Sequence, residues 1–563
     1  MLVIFLKNII NNEIRRIWPK IDMPDFFVER LELSGYGDYY SNVAFVVSKE
    51  LGSAPSVVAL DLAREVQRYN CIEKIEVADP GFFNIYVDEE ILNGLIPVVL
   101  AKNVEYGSRA MKGKRVLIEF VSANPTGPLH IGHARSAFLG DVLSRLLKKV
   151  GYEVSKEYYI NDFGNQVEIL ANSIYKEYCA LHGVEFSVDE EYSGGYIKEI
   201  AKEMAKKEGS RWTSCEYLPH FIEVGVLKNL DRIKKDLRGM HIEFDSWFSE
   251  SELYEKGIVE EVMNIYRSKN LLYEANRSKE GGEAIRRDGS KSNEFSFRKE
   301  GGLFLQTSKY GDVEDRVVRR KNGTSVYLLA DIAYHMEKFK RGFDSILNLW
   351  GADHAGHVGR LRAGIRALGL DDSKLEFILV QMVKLMKEGK DIKISKRAGS
   401  IIELQELVRE IGEGASRILF MHRSPNSQFV FDIEKMKEGS VNNPVCYFSY
   451  GLKRMYALVE KSSYNGFFFN RSNYRLLREE RELLKKVSIY HSVLEVAANL
   501  KEPHRILFYC QDLISAFHSY FSRYRNNDKI LSADREKSKI RVGLIISLKI
   551  IVESSLQVLG IRV

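Results

Sequence analysis

The sequence predicts an α/β protein in which a parallel, Rossmann-like sheet follows a small α+β domain and precedes an all-α helical bundle. Three patterns predict this fold class: mixed helical and strand periodicities up to about residue 108, a strand–helix–strand pattern from 115 to 160, and helical periodicity after about 440. At 563 residues the chain is long enough for several domains. We expect three, at 1–108, at 109–440 with a helical and loop insertion near 165–300, and at 441–563.

Composition places the chain among globular proteins. Hydrophobic residues make up 45% and charged residues 28% of the chain, which excludes a disordered class. The formal net charge of +6 permits an anionic partner such as RNA without requiring one. Five scattered cysteines without a Cys-x-x-Cys pair argue against a zinc site and a disulfide framework, so we expect a cytoplasmic protein.

The two most apolar terminal stretches do not predict membrane association. The opening "MLVIFLKNII" has a short apolar core and no basic region before it, so a signal peptide is not expected. The tail segment "VGLIISLKIIVESSLQVLG" is interrupted by Lys549 and Glu553, which favours a buried amphipathic helix over a membrane span. No membrane partner is therefore expected.

The first domain combines helical and strand patterns. "SNVAFVVSKEL" and "SVVALDLAREVQRY" carry apolar residues at helical spacing, and "IEKIEVADPGFFNIYV" reads as two strands joined by a Pro-Gly turn. The next domain opens with the buried-strand pattern "RVLIEFV", a helix predicted from Pro128 to Lys149, and the strand "YEVSKEYYI". Such a βαβ unit places ligands at the carboxyl ends of its strands.

The later elements continue the same pattern. "SILNLWGADHAGH" reads as a strand followed by a loop, and "EFILVQMVKLMKEGKDIKISKRAG" as a strand region that ends in a basic loop. From about 440 onward, four or five amphipathic helices predict a bundle.

The segment "NPTGPLHIGHARSA" lies where the first strand of the βαβ unit gives way to its helix. His130 and His133 are three residues apart, so both can donate hydrogen bonds to a phosphate at the amino end of the helix. Gly132 leaves room for a flat adenine on the backbone. Ordinary packing and a metal pair are the alternatives, although no third metal ligand stands at a fixed spacing and no metal site is expected.

His130-Ile131-Gly132-His133 resembles the signature of class I aminoacyl-tRNA synthetases, and its context "EFVSANPTGPLHIGHARSAFLGD" resembles the arginyl-tRNA synthetase family. The similarity continues in "YINDFGNQ", "YGDVEDRVVRRKNGTSVYLLADIAYH", "RGFDSILNLWGADHAGHVGRLRAGIRALG", "KISKRAGSIIELQELVREIG" and "NNPVCYFSYG". It covers nearly the whole chain.

The resemblance implies an ATP site. The loop from Lys393 to Lys396 resembles the family's Lys-Met-Ser-Lys loop, with Ile394 in place of Met, and its ammonium groups would stabilise the departing pyrophosphate. His354 and His357 could also be taken for a metal pair, but ribose and adenine binding explain that segment without one. The catalytic residues implied are His130, His133, Lys393 and Lys396, and the ATP-binding residues are these four with Gly132, Gly351, Asp353, His354 and Ser395.

The resemblance also implies an arginine pocket. A guanidinium carries five donors in one plane, so it requires carboxylate and hydroxyl acceptors. Tyr327 and Asp331 are four residues apart on one helical face, and Asp331 would pair with the guanidinium in bidentate fashion. Core packing and a surface salt bridge are the alternatives for these two. The remaining arginine-binding residues expected are Ser122, Asn124, Glu119 and Gln166, with Asn161 and Asp162 shaping the pocket.

Aromatic and basic side chains alternate in "CYFSYGLKRMYAL", a pattern typical of proteins that stack on single-stranded RNA. A bundle core with a charged face would give the same pattern, and the resemblance to the family's anticodon-binding domain favours RNA. Tyr447, Tyr450 and Arg454 are the tRNA-binding residues expected, and the first domain is expected to hold the corner of the tRNA.

The implied activity is that of a monomeric arginine–tRNA ligase. ATP and L-arginine would form arginyl-adenylate, and tRNA(Arg) would receive the arginyl group. Magnesium would come with ATP, without a dedicated protein cage. Two alternatives remain: a small-molecule nucleotidylyltransferase that shares the His-x-Gly-His turn, and a non-catalytic RNA-binding paralogue.

Overall fold

The computed structural model describes residues 2–22, 25–31, 36–275, 301–381, 383–387, 390–392, 403–432, 444–462, 474–525, 528–532 and 534–562. The chain forms two compact units. The first comprises Met1–Ala110, Arg145–Gly151 and Gly439–Val563, and the second comprises Met111–Ser144 and Tyr152–Glu438.

The amino-terminal part of the first unit is a helix-covered antiparallel sheet with strand order β1-β2-β4-β3. Gly81 sits in the Pro-Gly turn between β3 and β4, at a φ of 145°, and a Cβ there would lie 2.8 Å from the Cβ of Pro55. The predicted helices and the predicted pair of strands are all present. The elements are α1 (Leu2–Ile17), β1 (Val28–Arg30), β2 (Tyr39–Ser41), α2 (Val43–Leu51), α3 (Pro55–Val66), β3 (Ile72–Ala78), β4 (Phe82–Val87), α4 (Glu89–Asn93) and α5 (Leu95–Lys102).

Residues 115 to 432 form an α/β arrangement with two smaller sheets. Its elements are β5 (Arg115–Glu119), α6 (Ile131–Lys149), β6 (Glu153–Ile160), α7 (Asn165–Leu181), α8 (Gly195–Glu208), α9 (Leu218–Gly239), β7 (Ser246–Ser249), α10 (Glu250–Glu255), α11 (Ile258–Ser268), β8 (Leu272–Ala275), β9 (Gly302–Leu305), β10 (Arg316–Arg320), α12 (Tyr327–Lys340), β11 (Ser345–Gly351), α13 (Ala355–Leu368), β12 (Leu375–Val380), β13 (Val383–Lys387), β14 (Lys390–Ile392), α14 (Leu404–Ile411), α15 (Glu413–Met421) and β15 (Phe429–Asp432).

The central sheet has five strands in the order β12-β11-β5-β6-β7. Every neighbouring pair is parallel, so all five carboxyl ends meet at one edge. The two strands of the predicted β5–α6–β6 unit are neighbours in this sheet, and α6 connects them. Strand β7 occupies an edge of the sheet, although it falls within the stretch that the sequence pattern predicts as helices and loops.

Helix α6 begins at Ile131, three residues after the predicted start at Pro128. The preceding carbonyl groups are engaged in tertiary hydrogen bonds. The Tyr196 hydroxyl donates to the Thr126 carbonyl at 2.8 Å, and the Leu404 amide donates to the Leu129 carbonyl at 2.9 Å. The turn before the helix is thus held by other elements.

The tail of the first unit is helical, as predicted. Its described helices are α16 (Pro444–Lys461), α17 (Arg478–Leu500), α18 (His504–Tyr524) and α19 (Arg535–Leu559). Of the described helices, α19 is long and apolar enough by length and composition to cross a membrane, and 78% of its most apolar stretch is buried within the structure. It packs against α16, α17 and α18.

Within the first unit, the amino-terminal sheet packs on the helical tail through buried polar contacts. Arg481 of α17 donates two hydrogen bonds to the Asp38 carboxylate, one from Nε at 3.0 Å and one from Nη2. Its Nη2 atom also donates to the Val87 carbonyl at 2.6 Å. The Tyr39 hydroxyl lies 2.6 Å from the Ser488 hydroxyl. These bonds join the two ends of the chain in one unit.

Candidate functional site

The turn after β5 is strained and tightly held. Val121 and Ser122 have φ values of 67° and 40°, a left-handed conformation that a β-branched residue rarely adopts. The Val121 amide donates to the Ser136 hydroxyl at 3.0 Å, and the Ser122 hydroxyl accepts from the Tyr159 amide at 3.1 Å. Such strain is concentrated at functional sites, where surrounding bonds maintain it.

The two motif histidines stack on one another at the start of α6. Their ring centroids are 3.8 Å apart and their planes differ by 30°. Nδ1 of His130 accepts from the Gly132 amide at 3.1 Å, and Nδ1 of His133 accepts from the His130 amide at 3.2 Å. Because both Nδ1 atoms are acceptors, a neutral ring carries its proton on Nε2, which makes that atom a donor.

Gly132 is required by the packing of this histidine pair. A Cβ at this position would lie 2.8 Å from Cε1 of His130. The absence of a side chain therefore lets the His130 ring cover the first turn of the helix, a role that the sequence pattern alone does not reveal.

The end of the basic-loop segment returns to the same turn. His130 and Glu403 form an isolated β-bridge, and Leu404 at the start of α14 donates to the Leu129 carbonyl. The predicted ATP residues Lys393, Ser395 and Lys396 lie outside the described residues.

The predicted ribose-binding turn follows β11 at the same edge of the sheet. β11 pairs with β5 in parallel, with Asn348 opposite Glu119. After Gly351, residues Ala352–His354 form a short 3-10 turn, on which the side chains of Asp353 and His354 are exposed. The predicted ATP-binding residues that follow β5 and those that follow β11 therefore lie at the same edge of the central sheet.

Asp331, the predicted guanidinium ligand, lies on the first turns of α12. Its Oδ2 atom is 2.6 Å from Nε2 of His357 on α13. Tyr327, at the first residue of α12, is exposed. The structure therefore pairs Asp331 with a histidine.

Glu250 is a buried carboxyl group near Asp331 that the sequence pattern does not single out. It follows β7 directly and is only 4% exposed. Burial, followed by the negative charge of Asp331, raises the pKa of Glu250 to about 7, and Asp162 acts in the same direction. A buried carboxyl beside two like charges is a good site for a cation.

Asp162 is held in place within this acidic cluster. Its carboxylate accepts from the Ser251 amide at 3.0 Å and from the Ser251 hydroxyl at 2.9 Å. The segment "YINDFGNQ" signals Asp162, whereas Glu250 lies in "FSESELYE", which carries no motif. Glu250 becomes visible only once β7 is placed beside β6.

Glu119, at the end of β5, accepts hydrogen bonds from two side chains. Its Oε1 atom accepts from the Ser122 hydroxyl at 2.9 Å and its Oε2 atom from the Lys338 ammonium at 2.5 Å. The fully buried Lys338 also donates to Asn348 Oδ1 at 2.9 Å. Both carboxylate oxygens of Glu119 thus have protein partners.

Asn124 and Gln166, two of the predicted arginine-binding residues, are hydrogen-bonded to each other. The Asn124 side-chain amide donates to Gln166 Oε1 at 2.6 Å. The Ala123 carbonyl between the strained turn and Asn124 accepts from the Tyr158 hydroxyl at 2.7 Å. Hydrogen bonds therefore hold both the side chain of Asn124 and the backbone just before it.

The predicted RNA-binding side chains form a surface cluster in the first unit. Arg454 Nη1 lies 3.0 Å from His518 Nδ1, and its guanidinium stacks over the Tyr450 ring at 4.5 Å. Tyr447 contacts His518 edge-on at 5.6 Å. Tyr450 is 55% exposed, so a planar base can reach its ring.

Three family models match successive parts of the chain. The model of the arginyl-tRNA synthetase N-terminal domain matches residues 5–87, that of the catalytic domain of class I tRNA synthetases (R) matches 95–442, and that of the DALR anticodon-binding domain matches 448–563. Together they cover most of the chain.

Curated relatives and a solved structure agree with these models. An arginine–tRNA ligase from Staphylococcus carnosus is 36% identical over 550 residues, which cover 96% of this chain and 94% of the relative. One from an Anaeromyxobacter species is 37% identical over 567 residues, with coverages of 97% and 93%. The Thermus thermophilus arginyl-tRNA synthetase structure has a TM-score of 0.75 at 18% identity and covers 100% of this chain and 99% of its own; it supports the predicted fold class.

Proposed function

The chain belongs to the class I arginyl-tRNA synthetases, and from this premise we propose how its residues perform the arginine–tRNA ligase reaction. The arginine carboxylate attacks the α-phosphorus of ATP, and the P–O bond to pyrophosphate breaks. A hydroxyl of the 3′-terminal adenosine of tRNA(Arg) then attacks the carbonyl carbon of arginyl-adenylate, and AMP leaves. The protein orients these groups and stabilises charge, without a covalent intermediate of its own.

We assign the phosphates of ATP to the start of α6. His130 and His133 offer their Nε2–H donors there, and the amino end of the helix adds its positive dipole. Gly132 is assigned to the same site, where its missing side chain leaves room for the His130 ring over this turn. We assign to Lys393, Ser395 and Lys396 the hydrogen bonds that stabilise the pyrophosphate as it leaves.

The ribose of ATP is assigned to the turn after β11. Asp353 is exposed there and can accept from the ribose hydroxyls, with Gly351 and His354 beside it. This turn and the histidine turn follow adjacent parallel strands, so one nucleotide can contact both.

Magnesium is proposed to enter the site on ATP. The side chains assigned to the phosphates are imidazole and ammonium donors, which bind phosphate oxygens rather than a cation. A magnesium ion held by phosphate oxygens and water fits this donor set, because Mg²⁺ dehydrates reluctantly. When bound, it neutralises charge on the phosphates.

The arginine side chain is assigned to the acidic slot. Asp331 and Glu250 supply the carboxylates and Tyr327 an aromatic wall, which together match a planar cation with five donors. Ser122 is part of the strained turn, Asn124 follows it, and Gln166 is hydrogen-bonded to Asn124. These three side chains are assigned to the amino and carboxylate groups of the substrate. Glu119 serves as their support through Ser122. The observation that supports this assignment is that Glu250, buried directly after β7, lies near the carboxylate of Asp331 and next to Ser251, which binds Asp162.

We propose that residues 1–108 and 441–563 bind tRNA and that residues 109–440 form the catalytic domain. Tyr447, Tyr450 and Arg454 would stack on bases, since their rings and guanidinium form an exposed, interleaved cluster. The enzyme is expected to act as a monomer in the cytoplasm.

Pyrophosphate exchange with each of the twenty amino acids, with and without bulk tRNA, tests the proposal. We expect exchange with arginine alone, and only when tRNA is present. Exchange that does not depend on any amino acid would indicate a small-molecule nucleotidylyltransferase. RNA binding without exchange would indicate a non-catalytic paralogue.

A further inference from the structure

Arg135 on α6 is a buried cation whose described hydrogen bonds go to backbone carbonyl groups. It is 2% exposed. Its Nη1 atom donates to the carbonyls of Ser427 at 2.7 Å and Gln381 at 3.2 Å, and its Nη2 atom donates to the carbonyl of Ser424 at 2.6 Å. Burial lowers the pKa of Arg135. A desolvated guanidinium is costly, so its bonds are expected to serve a particular geometry.

The three carbonyl groups lie in the two chain segments that lead into one small sheet, which has the strand order β14-β13-β15. Gln381 stands between β12 and β13, and its amide donates to the Pro425 carbonyl at 3.1 Å. Ser424 and Ser427 form the turn before β15, in which the Ser427 amide donates to the Ser424 carbonyl at 2.9 Å. The guanidinium therefore joins both chain segments that lead into this sheet.

The small sheet leads directly into the basic loop. β13 pairs in parallel with β15 and in antiparallel fashion with β14, with Leu385 opposite Ile392. Lys393, the first lysine of the loop, is the residue after Ile392. The position of the sheet consequently fixes Ile392, the residue that precedes Lys393 in the sequence.

The far end of the loop segment is attached to the same helix start. Leu404 donates to the Leu129 carbonyl at 2.9 Å, and Glu403 forms a bridge with His130. Arg135 lies on the same helix, two residues after His133. Both described ends of the segment thus connect to the element that carries the histidines.

We propose that Arg135 is a positioning residue that fixes the sheet β14-β13-β15, and with it the start of the basic loop, relative to His130 and His133. This inference rests on the proposed function of those histidines and of the loop lysines. Groups that stabilise charge on the same triphosphate must be held to within a fraction of an ångström of their productive positions. A rigid three-bond contact from a planar guanidinium gives that accuracy, whereas one ammonium group cannot reproduce its fork.

The test uses the full chain with Arg135→Lys and Arg135→Gln. The lysine variant keeps the charge, and the glutamine variant keeps a planar donor without the cost of burying a charge. At saturating arginine and tRNA we expect kcat for aminoacylation to fall by about 100-fold in both, because a misplacement of about 1 Å has an effect of that size. The KM for arginine should stay within about twofold, since the slot at Asp331 is formed by other elements.

Arg417→Lys provides the matched control. Arg417 is also fully buried in the second unit, and it donates to Asp141 at 2.8 Å, to Glu413 at 2.9 Å and to the Met240 carbonyl at 2.8 Å. These partners lie outside the small sheet. We expect its loss to lower Tm while kcat stays within about threefold, since it alters packing but not the start of the loop.

Hydrogen exchange supplies a readout that general destabilisation would not reproduce. Peptides covering β13 and β15 should exchange faster in the Arg135 variants than in Arg417→Lys, while those covering β5 and β11 should exchange at the wild-type rate. An Arg135→Lys or Arg135→Gln enzyme that keeps kcat within about threefold would overturn the inference. So would an arginine KM that rises together with the loss of kcat, or an Arg417→Lys control with the same profile.

The wild-type protein separates this inference from the proposed function. If wild-type protein does not charge tRNA with arginine, the proposed function fails. If wild type is active and the Arg135 variants retain its kcat, only the positioning role fails.

Discussion

At the scale of single residues, the site to which we assign the arginine side chain is an acidic cluster of Glu250, Asp331 and Asp162. Glu250 is buried beside Asp331, and the pKa of its carboxyl is raised to about 7 by burial and by that neighbouring charge. Asp331 in turn is hydrogen-bonded to His357. A guanidinium bound beside Glu250 would offset the like charge of Asp331 and favour the ionised form of the Glu250 carboxyl.

The pH dependence of arginine binding should reflect the titration of Glu250. A bound guanidinium favours the carboxylate, so arginine binding lowers its pKa, and below about pH 7 binding has to displace a proton. We therefore expect the KM for arginine to be flat above pH 7 and to rise by up to about tenfold per pH unit below it. Steady-state kinetics between about pH 5.5 and 8.5 measure this dependence.

Glu250→Gln provides the comparison for this pH profile. The variant should show a higher KM at pH 8 and a flattened rise below pH 7. Glu255→Gln, an exposed carboxyl on the same helix, should keep the wild-type profile. A wild-type KM that does not change across the range would contradict the role of Glu250.

Asp331→Asn tests the second carboxylate of the slot. The amide keeps the shape of the side chain but loses its charge, and a buried hydrogen bond to a charged group contributes about 1.5–3 kcal/mol. We expect the KM for arginine to rise by roughly 10- to 100-fold, with a smaller change in kcat. An unchanged KM would place the guanidinium elsewhere.

At the scale of elements, the site depends on where strands end and where helices begin. The strained turn after β5, the stacked histidines at the start of α6 and the turn after β11 all lie at the carboxyl edge of the parallel sheet. The helix start is shaped by contacts from α8 and α14, through Tyr196 and Leu404. The turn is thus fixed by elements that are distant in the sequence.

His133→Ala tests the phosphate role of the helix start. Removing one donor aimed at developing charge typically lowers kcat by about 100- to 1,000-fold. We expect that loss in aminoacylation, while the affinity for tRNA, measured by filter binding, stays near the wild-type value. Normal turnover would refute the assignment of this imidazole to ATP.

Much of this element-level arrangement can be predicted from the sequence, because buried strands and amphipathic helices have distinct periodicities. The β5–α6–β6 unit and the helical tail are examples. Local capping rules predict that α6 starts at Pro128, whereas the helix begins at Ile131 and the carbonyls of Thr126 and Leu129 accept tertiary hydrogen bonds. The pairing of β7 with β6 depends on long-range register, so Glu250 could not be assigned from sequence.

At the scale of the whole molecule, the chain divides into two units, and the first is assembled from both ends of the chain. Asp38 is almost fully buried and receives two hydrogen bonds from Arg481, which lies 443 residues further along. Composition and periodicity contain no information about such a distant pair. The association of the first domain with the tail could therefore not be predicted from the sequence.

Arg481→Ala should destabilise the first unit. It removes the guanidinium from the buried Asp38 carboxylate, which keeps the Lys485 ammonium at 3.5 Å, so we expect a cost below the roughly 3 kcal/mol of a fully unpaired buried charge. We expect a lower urea midpoint, measured by circular dichroism. Arg478→Ala, on the exposed side of the same helix, should change the midpoint little.

The double variant Asp38→Asn/Arg481→Met separates loss of the pair from loss of packing. It removes both charges and should recover part of the stability lost in Arg481→Ala. Equal destabilisation by Arg478→Ala and Arg481→Ala would show that the buried pair does not stabilise the unit.

The union of the two chain ends has a consequence for biosynthesis. At a translation rate of about 5–20 residues per second, roughly 20–90 s pass between the synthesis of Asp38 and that of Arg481, 443 residues later. During this time the nascent amino-terminal domain carries an unneutralised acid and the face of α1 that packs on α17. The second unit is complete once residue 438 has left the ribosome. The part of the enzyme that is made first is therefore among the last to reach its final surroundings.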